Sequence, residues 1–388
     1  MHSNRFTLLL VMSFATLLSA CSSTGNVPSP SSLPPNPHKA RLVLSWSHDV
    51  GGGGGNQLLG LAPSVAGGEV FVAAAGGRVA AYKVTNGRLV WQHNVRHARL
   101  SGGPAVGAGI VALGTREGNV VALEASNGRP KWRHFVGSPV ITSPAIAPGI
   151  VAVKTLAGNL IGLDPASGAE LWVVSESPPS LTLRYDIHPL IVKGIIYAGF
   201  ANGKVIAVHA LTGKVLWRRQ VAVGRGSNPI ANLVDVGGVL GYAAGDLYAV
   251  TYQGRLAAID AASGQILWSR KLSSYTGLTL DAARVYVDDT EGRMHAFDLV
   301  TGVPDWVYTK LAYRRLSAAV PFGPLVVAGD FWGWLHLLDR SNGRYLGRVR
   351  VGDRAIRMPP VVVNHVLMAL TNGGTLAAYR LSLRTGKR

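Results

Sequence analysis

The run Gly158-Asn159-Leu160-Ile161-Gly162-Leu163-Asp164-Pro165-Ala166-Ser167-Gly168-Ala169-Glu170-Leu171-Trp172 decides the fold of this chain. Residues 159–163 form a short apolar strand, and 164–168 form a turn. Gly168 suits the positive-φ position that such a hairpin needs, and Asp164 is placed to accept from nearby backbone N–H groups. Glu170-Leu171-Trp172 starts the next strand. Upstream, Pro144-Ala145-Ile146 and Ile150-Val151-Ala152-Val153 make another apolar pair. The unit therefore has four strands, and no helical period runs through the mature chain.

The pattern recurs from Gly77, Gly118, Gly203, Gly254, Gly292, Gly333 and Gly374, making eight copies. Successive opening glycines lie 41, 40, 45, 51, 38, 41 and 41 residues apart. One small sheet cannot bury both of its faces, so a period near 40 residues predicts a ring of sheets. The expected fold is all-β, an eight-bladed β-propeller of four-stranded antiparallel blades. Trp46, Trp91, Trp132, Trp172, Trp217, Trp268 and Trp306 close a repeat or its equivalent. A large aromatic at one fixed place in each blade reads as packing between neighbouring blades rather than as a ring of ligand-stacking aromatics. The seventh copy has Gly347 at that place, which predicts a looser joint. The eighth runs out at Arg388 without its Trp strand, whereas Arg41-Leu42-Val43-Leu44-Ser45-Trp46 has that strand and no sheet. Pairing the two closes the ring and removes its free edges.

Residues 1–20 read as a lipoprotein signal peptide, with Arg5 as the positive segment and residues 6–18 as the apolar one. Leu18-Ser19-Ala20-Cys21 looks like a bacterial lipobox. Cys21 is the only cysteine among 388 residues, so it has no disulfide or metal-site companion and reads as the lipid-attachment residue. Ser22 follows it, not the Asp that resembles an inner-membrane retention signal, which favours the outer membrane, facing the periplasm. Residues 21–39 are a Ser/Pro-rich tether, and 40–388 are the propeller.

Lys and Arg number 38 against 20 acids, a net charge of +18. The basic residues are scattered over turns and strand ends, and no aromatic-and-basic cluster of the kind that binds single-stranded nucleic acid is apparent. Anionic lipid or acidic partners fit that balance, as does a generally solvated basic surface. The repeats resemble those of pyrroloquinoline-quinone propellers, a group that includes dehydrogenases and non-catalytic proteins. The dehydrogenases commonly carry a vicinal disulfide, which one lipidated cysteine cannot supply. Asp288, Asp289 and Glu291 are the densest acidic cluster, at a strand end. The eleven histidines form no ligand set: His93 and His97 are four apart but not on a helix. Gly51 to Gly55 lack the Lys-Ser/Thr of a phosphate loop. No cofactor, metal or catalytic residue is expected.

Function on a repeat scaffold gathers in its insertions. From closing Trp to opening Gly the distances are 27, 26, 31, 37, 24 and 27 residues, so the two long crossings, Trp172–Gly203 and Trp217–Gly254, are consecutive. Their extra residues should lie side by side on one face. The first contains Ser177-Pro178-Pro179-Ser180-Leu181-Thr182-Leu183-Arg184, and the second runs from Gly224 through Asn228 to Asp235. The residues 179–184 read either as an ordinary strand with alternate side chains buried or as a contact segment. Lipobox, tether, eight blades and the P-S-L-[ST]-L-R segment together resemble the BamB-type lipoproteins of the β-barrel assembly machinery. That resemblance implies a non-catalytic scaffold that binds the periplasmic domains of the central barrel subunit through Leu181, Leu183 and Arg184, with Asp235 on the adjacent loop. Gly237 stands where it implies a second acid. It also implies company with the machinery's other lipoproteins and with nascent outer-membrane proteins, whose extended strands blade edges could hold by β-augmentation, and no nucleic-acid partner. A quinone-dependent periplasmic dehydrogenase and a periplasmic ligand-binding propeller are the alternatives.

Overall fold

The computed structural model describes residues 28–52, 59–183 and 188–383. Among these, the strands form eight four-stranded antiparallel sheets. Blade three is Ala145–Ala147, Ile150–Lys154, Asn159–Leu163 and Glu170–Ser175, paired in that order. Successive blades touch through their two inner strands in a cycle that returns from blade eight to blade one. The eight-bladed propeller expected from the repeats is therefore the observed fold.

Each repeat's turn is built as its residues dictate. Asp164 accepts from the N–H groups of Ala166 and Ser167 at 2.8 and 2.7 Å and from Ser167 Oγ at 2.9 Å. Gly168, at φ +75°, donates back to Asp164 O at 2.8 Å. Asp260 with Ser263 and Asp298 with Thr301 repeat the device. The core is shared between blades rather than gathered at one centre. One cluster joins Ile150, Ala152 and Leu160 of blade three to Ile196, Phe200, Ile206 and Val208 of blade four. Each blade thus buries one face against its neighbour, as stacked repeats must.

The tryptophans are the joints. Trp172 packs its ring on Gly213 in the next blade's outer turn and donates Nε1–H to Ala210 O at 2.9 Å. A Cβ on Gly213 would come 2.6 Å from the Trp172 ring, so that turn accepts only glycine. Trp46, Trp91, Trp132, Trp217 and Trp306 donate equivalently to Val84, Ala125, Pro165, Ala261 and Arg340. Gly347 has a topological cause. The next blade, the eighth, takes Val361–Val363, Val366–Leu370 and Thr375–Leu383 from the end of the chain and Ala40–Asp49 from its beginning. Its third and fourth strands come from opposite ends of the chain, so no turn exists for a tryptophan to sit on. A Cβ at Gly347 would meet Ala40 O at 2.7 Å. The joint is filled by the N-terminal segment rather than left loose.

Residues 31–39, within the stretch read as tether, run along the outside of blade seven. Lys39 N–H donates to Leu346 O at 2.9 Å, Arg348 donates to Pro34 O, and Ser31 N–H donates to Ala312 O at 2.9 Å. Antiparallel pairing puts each blade's second-to-third-strand turn and its crossing to the next blade at the same end of the ring. Ser31 lies at that end, because residues 309–319 are the crossing from blade six to blade seven.

Candidate functional site

The long crossing from blade three to blade four begins at a buried anchor. Glu176 accepts from Arg218 Nε at 2.7 Å and from Lys204 Nζ at 3.2 Å, both in blade four. Burial raises its carboxyl, and those two cations more than reverse the effect, leaving it below the usual carboxylate range. Pro178 and Pro179 then lack the N–H groups a ladder strand needs. Residues 177–183 accordingly carry no strand pairing. Leu181 is 41 % exposed and Leu183 is half-buried. The expectation of an ordinary strand with alternating burial does not describe this segment; it is a loop standing on the blade.

The second long crossing holds that loop from the side. Asp235 Oδ2 accepts from Leu183 N–H at 2.7 Å, across 52 residues of sequence. The two insertions do lie side by side. Asp235 is only 2 % exposed, so in the free protein its carboxylate positions Leu183 rather than facing solvent. Burial pushes its pKa up, against the opposing pull of the Leu183 N–H and the Lys154 charge. Lys154, itself buried, donates to Gly199 O at 2.6 Å below the loop. The rest of the second crossing is tied internally: Gly226 N–H donates to Asn232 Oδ1 at 2.8 Å and Asn232 Nδ2 returns to Gly226 O at 3.0 Å. It presents Val223 and Ile230, 64 % and 65 % exposed, at the same end of the ring as Leu181.

Leu183 and Asp235 are thus brought together, with Leu181 exposed on the same loop. Arg184 and Cys21 lie outside the described residues. At Gly237 a Cβ would sit 2.6 Å from Ser274 O, so no acidic side chain fits there. Glu176 and Lys154, which fix the loop from below, carried no motif in the sequence. Val223 and Ile230 did leave a signal, as apolar residues inside a polar insertion. The acidic cluster is engaged elsewhere: Asp289 binds Arg293 Nε at 2.6 Å and His295 Nε2 at 2.9 Å, and Asp288 accepts from Ala319 N–H at 2.8 Å.

A second assembly gathers aromatic and basic side chains that are scattered along the sequence. Phe331, Trp332 and Trp334 of blade seven stack with arginines from three separate stretches. Arg314 lies 4.7 Å from the Trp332 ring centre, Arg315 and Arg357 lie 5.0 and 5.3 Å from Phe331, and Arg348 and Arg350 lie 5.2 and 5.5 Å from Trp334. Underneath, Asp330 accepts from Arg314 at 2.7 and 2.9 Å and contacts His336 Nε2 at 3.1 Å. Burial holds the His336 pKa below its ordinary value, only partly offset by Asp330. The folded chain therefore keeps this imidazole neutral where the unfolded chain protonates it. Stability from this site is fully present above about pH 6.5 and falls as acid is added, by at most about 1.4 kcal/mol per pH unit. The melting temperature should drop between pH 7 and 5, and His336→Gln should flatten that slope; an unchanged slope in the variant would assign it to other groups.

Eight four-stranded blades, tryptophan joints and two long consecutive crossings define the class: a propeller of pyrroloquinoline-quinone-like repeats. The family model described as outer membrane protein assembly factor BamB matches residues 39–100 and 75–308. The outer membrane protein assembly factor BamB of Pseudomonas aeruginosa is 42 % identical over 376 residues, 96 % of this chain and 98 % of that one. The chain belongs to the family of outer membrane protein assembly factor BamB. Among solved structures, BamB from Moraxella catarrhalis matches with a TM-score of 0.80 at 28 % identity, over 88 % of this chain and 100 % of that one. Quinohemoprotein alcohol dehydrogenase from Comamonas testosteroni matches at 0.69 and 13 % identity, over 87 % and 76 % of the two chains. At that identity the likeness concerns the fold alone.

Proposed function

We propose that this chain is a non-catalytic scaffold of the outer-membrane protein assembly machinery, held to the outer membrane by lipid on Cys21 and facing the periplasm. Leu181, Leu183 and Arg184 would bind the periplasmic domains of the central barrel subunit, with Asp235 fixing the segment's shape. Other lipoproteins of the machinery and nascent outer-membrane proteins would share the assembly. The carrying observation is the loop itself: an exposed leucine on a proline-led segment, tied at its base by Glu176 and at its side by Asp235. Holding a loop this way before a partner arrives reduces the ordering cost of binding. Outer strands such as Glu170–Ser175, with Leu171 and Val173 exposed, offer edges to which an extended chain could add.

Affinity purification from outer membranes, with partners identified by mass spectrometry, tests this reading. The central barrel subunit should co-purify in stoichiometric amount. Cys21→Ala should release the protein from the membrane fraction without changing its fold. Recovery of no barrel subunit, or a mature N-terminus other than lipidated Cys21, would refute the corresponding half.

A further inference from the structure

The aromatic and basic assembly of blades six to eight lies at the end of the ring from which the N-terminal segment departs. Ser31 is bonded there three times: its N–H to Ala312 O at 2.9 Å, its Oγ to Lys310 O at 3.1 Å, and its carbonyl from Arg314 Nη1 at 3.0 Å. Arg314 is thus shared between the departing chain, the Trp332 ring and the buried Asp330. Upstream of Ser31, ten residues lead back to Cys21, and ten residues reach at most roughly 35 Å. A lipid on Cys21 would therefore keep this end of the propeller close to the bilayer.

The surface at this end has the chemistry of a membrane interface. Lys310, Arg315, Arg350 and Arg354 are exposed, and Trp332 is 36 % exposed. Against them stand Asp353 and, at the end of blade eight's outer strand, Asp49, both exposed, and Glu291, which Arg293 Nη1 engages at 3.2 Å. Arginine forks match phosphate oxygens, and an amphipathic indole sits at headgroup depth. The rings lie against the guanidinium groups and restrict where they sit before a ligand arrives.

We propose that this arginine–tryptophan patch rests on anionic phospholipid headgroups of the membrane that holds the anchor, so that the propeller is oriented and not merely tethered. The proposal rests on the lipid-anchor reading for its geometry. It assigns part of the chain's excess positive charge to one end and one sector of the ring. The Leu181 loop, three blades away at the same end, is left free for a protein partner.

The test uses a chain beginning at Ser22, which keeps all strands of the eight sheets and carries no lipid, so its outcome is independent of acylation. It is floated with phosphatidylglycerol/phosphatidylcholine vesicles and with phosphatidylcholine vesicles alone. Binding is expected to the anionic vesicles only, and to weaken as salt shortens the Debye length from about 10 Å at 0.1 M to about 3 Å at 1 M. Each cation at the headgroup plane contributes about fivefold, so Arg315→Glu, Arg350→Glu and Arg354→Glu together should reduce binding by at least roughly a hundredfold. A control chain with Arg88→Glu, Arg129→Glu and Arg344→Glu alters the same net charge in exposed turns at the opposite end of the ring; it should bind nearly as wild type. Melting curves for both triple variants confirm that each is folded. The Arg→Gln versions of the three patch residues, which add no negative charge, should still lose most of the binding. Equal loss in the control, no binding to anionic vesicles, full competition by inorganic phosphate at matched phosphorus, or equally tight binding of a single-stranded oligonucleotide would each overturn the proposal.

Discussion

Deleting residues 40–46 is expected to abolish cooperative folding of the ring. The lost segment supplies most of blade eight's outer strand, whose register with the chain's last strand runs from Ala40 opposite Leu383 to Asp49 opposite Thr375. It also removes Leu42 and Trp46, 5 % and 9 % exposed, from two separate core clusters. Truncating one such leucine costs about 2–5 kcal/mol and one such tryptophan about 3–5 kcal/mol. Together with the lost ladder, that is comparable to the roughly 5–15 kcal/mol by which domains are stable. The deletion would further expose the edge of Thr375–Leu383, an invitation to aggregate. Trimming residues 22–30 should leave the melting temperature unchanged. Extending the cut through 36 should lower it modestly, because Ser31 and Pro34 are bonded to blades six and seven. A deletion of 40–46 that melted cooperatively near the wild-type temperature would contradict the closure.

The architecture was legible because its signal is written eight times, and a copy that drifts is corrected by the others. Turn aspartates, positive-φ glycines and tryptophan joints each have a local cause that one repeat displays. Gly347 looked like a defect in isolation. Its cause is topological, since only blade eight lacks an outer turn, and no inspection of the seventh repeat reveals that. The site was less legible for a related reason. Leu181 and Leu183 sit in a visible insertion, but their alternation fits a strand as well as a loop. The two prolines and the Asp235 carboxylate decide between these. The bond from Leu183 to Asp235 spans 52 positions, a distance at which spacing carries no information. The arginine–aromatic assembly was invisible for the same cause. Phe331 to Trp334 lie fourteen residues or more from Arg314 and Arg348, and only the packing of blade seven against its two crossings gathers them.

The second large effect is expected at the loop. Leu181 is exposed in the free protein, and burying such a side chain against a partner is worth roughly 1.5–3 kcal/mol. Arg184 follows immediately and can add a charge-assisted bond to an acidic surface. Asp235→Ala should weaken binding by freeing Leu183, whereas Asp235→Asn, which keeps an acceptor for the Leu183 N–H, should restore most of it. The most direct test places both questions on one molecule: Leu183→Ala with Arg184→Ala, assayed for co-purification with the barrel subunit from outer membranes and for melting temperature. A contact loop predicts that co-purification is lost while the melting temperature shifts by no more than a few degrees. Unchanged co-purification, or a collapse in stability with binding intact in the folded remainder, would contradict the assignment.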